Sequence, residues 1–368
     1  MGWPPPGEPP RTPRQNWRLA IVIVAIVAVG VLLASGGLVS IARRYRIGTP
    51  TVNYPVSSSP SSVGAAIDPA LVDVTTTLGY RGAEAAGTGI VLTPSGELLT
   101  NHHVVQGATT VSVTDVGNGR KYSGTVVGYD ASEDIAVVQL SAASGLKTAQ
   151  LGDSSKLAIG QDVVAVGNAG GVGGTPSEAQ GTITALNRTI TAADDNGSAE
   201  QLTGLIQTSA RLVAGDSGGP LVDSSAHVVG IDTAGSARFS FRNANAGGYA
   251  IPINRALSIA HEIRSGHSSS TVHIGPSAFL GVQIRASSQD EASGAAVAGT
   301  VSGSPAARAG IGRGDVITSV AGHEVSSPTD LSSTMHLHHP GDRVTVGWVD
   351  QAGRTHSATF TLATGPVG

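Results

Sequence analysis

A chain of 368 residues, 40% hydrophobic and 13% charged, has room for two or three cores and lacks the low-hydrophobicity, high-charge signature of disorder. Its complete lack of cysteine excludes disulfide frameworks, thiolate nucleophiles and Cys-ligated zinc or iron–sulfur sites. The formal charge of −4 divides at Arg46: six arginines against Glu8 make the first 46 residues +5 and leave the remainder at −9, which argues against nucleic acid as a partner because phosphate contacts need clustered Lys and Arg.

In chain order, a short tail of residues 1–18 precedes an uncharged apolar run, residues 19–42, reading LAIVIVAIVAVGVLLASGGLVSIA. At about 1.5 Å per residue a helix of this length crosses a hydrocarbon core of about 30 Å. A cleaved signal peptide has a shorter apolar region, about 7–15 residues, followed by a small-residue cleavage site, whereas this run continues straight into Ala42, Arg43 and Arg44. The expectation is an uncleaved single-pass membrane anchor. Arginines flank the run on both sides, so orientation rests on segment order: a cytoplasmic tail, and everything that folds outside the cytoplasm.

Residues 43–67 are rich in Pro and Ser and read as a linker. From residue 68 to 264, short β-branched runs alternate with Gly, Asn and Asp turns, around Ile90–Val91, Val111–Val113, Val126–Val127, Val137–Val138, Val163–Val166 and Val228–Ile231. That rhythm predicts an all-β barrel or sandwich pair. Ala256, Leu257, Ile259, Ala260 and Ile263 make one apolar helical stripe that closes this first domain. Residues 265–276 read as a second linker, and 277–363 as a smaller final domain.

Three segments of the first domain each supply one part of a nucleophilic acyl-transfer site. Thr100-Asn101-His102-His103-Val104-Val105 puts histidine at a strand end; the stretch from Asp130 to Asp134 puts carboxylates just before an apolar strand; Gly215-Asp216-Ser217-Gly218-Gly219-Pro220 puts serine in a glycine-bounded turn. A serine hydroxyl needs a histidine base, and the base needs a buried carboxylate to fix its tautomer and stabilise its imidazolium. The glycines let the N–H groups of Gly215 and Ser217 converge on a developing oxyanion.

GDSGGP, TNHHVV and the Asp134-Ile135-Ala136-Val137 run resemble the chymotrypsin-fold serine proteases, and within them the HtrA (Deg) branch. The resemblance implies two six-stranded antiparallel β-barrels with a catalytic cleft between them, an endopeptidase activity, and no cofactor. Carried onto this chain, the family pattern selects His103 over His102 as base, Asp134 over Asp130 as the acid, and Ser217 as nucleophile, with Gly215 and Ser217 forming the oxyanion hole. Strand alternation would aim His102 and His103 to opposite sides. Substrate contacts are expected from Arg211, Thr233 and Ala234. Arg211 either lines the specificity pocket and favours acidic side chains, or points away, pairing with Asp216 or Asp232, and leaves the pocket to small aliphatic ones.

In the final domain, Phe279-Leu280-Gly281-Val282, Gly303-Ser304-Pro305, Gly314-Asp315-Val316-Ile317 and Pro340-Gly341-Asp342 resemble a PDZ domain of the HtrA kind. By that resemblance the backbone of Phe279, Leu280, Gly281 and Val282 would receive the end of a C-terminal peptide, and Met335 or Leu331 would line its groove. Ser327 caps a helix, with Pro328 in the first turn and Asp330 placed to close a capping box. His336, His338 and His339 cannot all share one helical face, so they read as a solvated helix end, with no metal expected. The whole is expected to be a membrane-anchored, extracytoplasmic serine endopeptidase acting on misfolded or exposed envelope proteins, with the homotrimeric assembly common in the family. A non-proteolytic chaperone or peptide-sensing adaptor is the alternative, against which an intact triad argues.

Overall fold

The computed structural model describes residues 61–80, 82–193, 199–233, 247–285 and 293–368. The expected anchor at residues 19–42 lies outside the described residues, among which no helix is long and apolar enough to cross a membrane.

After a short helix α1 (Ser62–Ile67), capped by the Ser61 hydroxyl, the chain forms, among the described residues, two closed six-stranded barrels, an open six-stranded sheet and a two-stranded one. The first barrel uses β1 (Leu71–Leu78), β2 (Ala83–Val91), β3 (Glu97–Thr100), β4 (Thr110–Asp115), β5 (Lys121–Asp130) and β6 (Ile135–Leu140), ordered β5-β4-β1-β2-β3-β6 and closed by β5 pairing with β6. Register follows the apolar alternation of the strands: Val74 faces Val113 and Leu98 faces Val138, and these side chains fill the barrel interior. A four-residue helix, α2 (His102–Val105), follows β3.

The second barrel closes as β10-β11-β12-β9-β8-β7, from β7 (Asp162–Gly167), β8 (Ser177–Ala193), β9 (Ala199–Thr208), β10 (Pro220–Val222), β11 (Val228–Asp232) and β12 (Gly248–Pro252). Val163, Ala165, Ile183, Ile206, Leu221 and Val229 fill it. A third apolar cluster joins the two barrels: Leu71, Ile90, Leu99 and Ile135 from the first pack with Val166, Val222, Ile231 and Ile251 from the second. Helix α3 (Ile253–Arg264) adds Ala256, Ile259, Ala260 and Ile263 to that cluster, each buried Ile side chain contributing about 1.5–3 kcal/mol. Because this shared core fixes the barrels against each other, loops at their facing ends can form one site.

The stretch 265–276, expected as a linker, carries a strand. β13 (Val272–Ile274) pairs antiparallel with β5, Val272 opposite Asp130, and Val272 is buried in the shared core. A single β-branched pair among serines and glycines is too short a signal to announce a strand that tertiary packing alone stabilises.

The final domain contains β14 (Ala278–Phe279), β15 (Val282–Ile284), β16 (Ala295–Thr300), α4 (Pro305–Arg308), β17 (Val316–Val320), β18 (His323–Glu324), α5 (Pro328–His336), β19 (Arg343–Val349), β20 (Thr355–Thr361) and β21 (Ala363–Thr364). Leu280, Val297, Ile317, Leu331, Val346 and Trp348 are among its buried core. Helix α5 starts as expected on Ser327, whose hydroxyl accepts from Asp330 N–H. The reciprocal bond differs: the Asp330 carboxylate accepts from the backbone N–H of Ser326 at 3.1 Å and from its hydroxyl, since Ser327 sits fully extended (φ −150°) and Ser326 presents the nearer donors.

Candidate active site

Asp134 stands in the turn between β5 and β6 with φ +55°, a left-handed conformation that aspartate tolerates better than most residues. Asn101 holds this turn by donating its side-chain amide to the Asp134 carbonyl at 2.9 Å. His103, in the first turn of α2, donates its backbone N–H to Asp134 Oδ1 at 3.0 Å and brings its ring Nδ1 to 2.9 Å from Oδ2. Thr233 donates its hydroxyl to the same Oδ2 at 3.0 Å. The carboxylate is buried, which raises its pKa, but the charge of His103 and the hydrogen bonds from it outweigh burial and hold Asp134 below the usual carboxylate range. It is therefore an anion at neutral pH, and an imidazole donating to it through Nδ1 presents its lone pair at Nε2.

Histidines 102 and 103 do not alternate across a strand, as the sequence suggested. They occupy successive positions of the helical turn α2, so their rings diverge by a helical step. His103 turns to Asp134, while His102 is buried, stacks on Tyr129 at 4.6 Å and approaches the Gly368 carbonyl. Burial pushes the His102 ring down to about 4, so it is uncharged at neutral pH.

Ser217 lies in the loop between β9 and β10, and that loop is fixed from both barrels. Thr88 of β2 donates its N–H to the Ser217 carbonyl at 2.8 Å and its hydroxyl to the Gly215 carbonyl at 2.8 Å. Gly218 donates its N–H to the Asp232 carbonyl at 2.9 Å. Gly218 has φ +83°, and a Cβ there would run into the Thr88 carbonyl and the Thr100 hydroxyl; the missing side chain lets the serine loop press against the strand end that leads into α2. Gly215, at φ +100°, likewise leaves no room for a Cβ beside the Asn168 carbonyl. A cleft of about 380 Å³ opens next to it, lined by Thr75, Ala85, Ala86, Gly170, Gly171 and Ala214.

The expected substrate contacts separate. Thr233 is buried, with its hydroxyl committed to Asp134 and its N–H to the Tyr249 carbonyl, so its side chain supports the carboxylate. Arg211 is exposed. The suggested pairing with Asp232 is not formed: Asp232 is buried and neither of its carboxylate oxygens has a hydrogen-bond partner among the described residues. Asp216 is held by Val213 N–H at 2.9 Å and the Ser177 hydroxyl at 3.3 Å. Ala234 lies outside the described residues. Thr88 and Asn168, which help fix the loops, lie outside every motif the sequence offered, and Asn101, inside TNHHVV, carried no sign of its role.

A family model for a trypsin-like peptidase domain matches residues 87–231, and one for a PDZ domain matches residues 278–356. The chain is 33% identical to Serine protease PepD of Mycobacterium tuberculosis over 98% of its own length and 80% of that protein. The chain belongs to the HtrA-like serine proteases. It is also 33% identical to Putative serine protease HhoB of Synechocystis over 72% of this chain and 63% of that one. With Serine protease Do-like HtrA of Lactococcus lactis it shares 31% identity over 75% of this chain and 70% of the relative. A solved structure of the HtrA-type protease AlgW with tripeptide aligns with a TM-score of 0.47 and 28% identity, covering 83% of this chain and 98% of that one. This HtrA-like protein is a serine endopeptidase whose trypsin-like domain is followed by a PDZ domain.

In the PDZ domain of this protease, Phe279 pairs with Ala363 across β14 and β21, and its ring stacks on Tyr80 of the first domain at 5.1 Å. Leu280 is buried in the PDZ core, Gly281 takes φ +83° against Ser304, and Val282 opens β15. Met335 is half-buried on α5 beside that core. His336, His338 and His339 are not simply a solvated helix end. The His336 carbonyl faces His273 Nδ1 at 3.1 Å, and the His339 ring stacks on His273 at 5.1 Å, so this end of α5 meets β13.

Proposed function

We propose that Ser217 attacks the scissile carbonyl while His103 Nε2 takes its proton and later returns it to the leaving amine. Asp134 orients the imidazole and stabilises the imidazolium, and the N–H groups of Gly215 and Ser217 receive the oxyanion. The observation that carries this reading is the His103 Nδ1 to Asp134 Oδ2 contact of 2.9 Å, completed by Thr233. It supports one tautomer of the base, the one with its acceptor nitrogen directed away from the acid. The cleft beside Gly215 offers space for an extended polypeptide. The specificity pocket in this reading takes small aliphatic side chains, as the family resemblance implies.

The substrates in this reading are misfolded or exposed envelope proteins. The chain is held at the cell membrane by residues 19–42 with the catalytic and PDZ domains outside the cytoplasm, and three copies associate. Residues 279–282 and Met335 receive C-terminal peptides that regulate or deliver. Casein cleavage by the full chain in detergent, in parallel with Ser217→Ala, tests the chemistry: activity that survives in the variant rejects Ser217 as nucleophile. Release of the full chain from membranes by alkaline carbonate would reject the anchor.

A further inference from the structure

The segment that follows β21 leaves the PDZ domain and lies on the first barrel. Gly365 donates its N–H to the Ser277 carbonyl at 2.9 Å; Val367 donates to the Ala108 carbonyl at 3.0 Å and accepts from Gly107 N–H at 2.7 Å; Gly368 donates to the Ser277 hydroxyl at 2.9 Å. The side chain of Val367 packs on the apolar interior of the first barrel. Beyond it the Gly368 carbonyl meets the ring of His102, which stacks on Tyr129, whose hydroxyl lies 3.3 Å from that of Ser277. A cavity of about 210 Å³ runs alongside, lined by Thr109, Val111, Val126, Pro276 and Val367. Backbone donors and acceptors that hold a short bent segment, an apolar seat and polar groups at the far end are the parts of a peptide-binding site.

We propose that the first barrel carries a second peptide site, filled in cis by residues 365–368, and that its occupation holds His102 and with it the turn that positions His103. The site takes a short bent peptide with an aliphatic residue followed by glycine. Glycine is required because a Cβ on residue 368 would strike the Tyr129 hydroxyl and come to 3.1 Å from Ser277 Oγ. His102 is a positioning residue here. It is buried against Gly368 and Tyr129, so losing its carbonyl partner removes the bond that fixes the ring, and the four-residue turn α2 ties His102 directly to His103. A displaced base slows the chemical step more than it weakens substrate binding. The coupling half of this inference rests on the assignment of His103 as base.

The test uses the full chain with Gly368→Ala and Val367→Asp, each compared with the parent for casein kinetics and for hydrogen exchange at the Gly107 amide. The expected result is faster exchange at Gly107, a fall in kcat of about tenfold and a KM within about twofold. A free octapeptide of residues 361–368, TLATGPVG, should restore kcat of Val367→Asp in trans, while the same peptide carrying aspartate in place of the valine should not. If Val367→Asp melts well below the parent, Gly368→Ala carries the test alone, since it adds one methyl group. Unchanged exchange and unchanged kcat overturn the site; faster exchange with unchanged kcat, or no restoration by the peptide, overturns the coupling. Failure of the triad assignment would show separately, as activity remaining in Ser217→Ala.

Discussion

Thr233 of the second barrel donates its hydroxyl to Asp134 of the first at 3.0 Å, so the carboxylate facing His103 is held from both halves of the catalytic domain. The anion in that buried place depends on its donors, and removing the Thr233 hydroxyl leaves Oδ2 with His103 Nδ1 as its one remaining donor among the described residues. Thr233→Val keeps shape and deletes the donor. It is expected to lower kcat/KM about ten- to a hundredfold, the cost of a hydrogen bond to a charged group. Because the lost bond favours the anion, the Asp134 carboxyl moves up from its depressed position, which NMR titration of the labelled carboxyl follows directly. A carboxyl that titrates where the parent's does would reduce Thr233 to packing.

Asp134→Asn separates charge from backbone. Asparagine tolerates φ +55° as well as aspartate does, so the turn is retained while the amide favours the wrong imidazole tautomer. The expected loss in kcat is about 10⁴, with thermal unfolding close to that of the parent. A loss of less than about tenfold would show that the charge is dispensable.

How much of this was legible beforehand divides by the range of the physics involved. GDSGGP and the Asp134-Ile135-Ala136-Val137 strand are local patterns, and β-branched periodicity announced β2, β4, β5, β6, β7 and β11 because burial on a pleated face selects such residues. The stripe of Ala256, Ile259, Ala260 and Ile263 announced α3 for the same reason. Thr88, Asn101 and Thr233 were invisible in role, since each acts through hydrogen bonds to residues distant in sequence, Thr88 to Gly215 and Ser217, Asn101 and Thr233 to Asp134. The strand Val272–Ile274 was equally hidden, because only the presence of β5 makes three residues extended. The direction of His102 depended on α2 being helical, and four residues between a strand and a glycine give no period to read.

Gly215→Ala probes the serine loop. The position combines φ +100° with a wall, the Asn168 carbonyl, where a Cβ would fall. The loop must shift, and with it the Gly215 N–H proposed for the oxyanion. A fall of about 10²–10³ in kcat is expected, as for the loss of one oxyanion donor, with Asp134 and His103 undisturbed. Active-site titration with a serine-directed phosphonate should show slowed acylation, while the pH–rate profile keeps its shape; an enzyme as fast as the parent would exclude the Gly215 N–H from the reaction.

Asp232 sits one residue before Thr233 with both carboxylate oxygens buried and unpartnered among the described residues. Burial, and then the neighbouring Asp216, push its pKa well above the ordinary 3.8, and burial pushes Asp216 up to about 6. A carboxyl raised in the folded state binds its proton more tightly there than in the unfolded chain. Stability therefore falls as pH rises from the unfolded value through the folded one, and the penalty is complete above it. Asp232→Asn cannot ionise and keeps the shape of the neutral acid. At pH 7.5 it should raise Tm by about 2–8 °C, from about 1–2 kcal/mol of relieved desolvation. At pH 4, where the parent carboxyl is already protonated in the fold, the gain should shrink toward zero. Differential scanning calorimetry at the two pH values checks the sign: a variant less stable than the parent at pH 7.5 would mean that Asp232 is ionised in the fold and stabilised there as an anion.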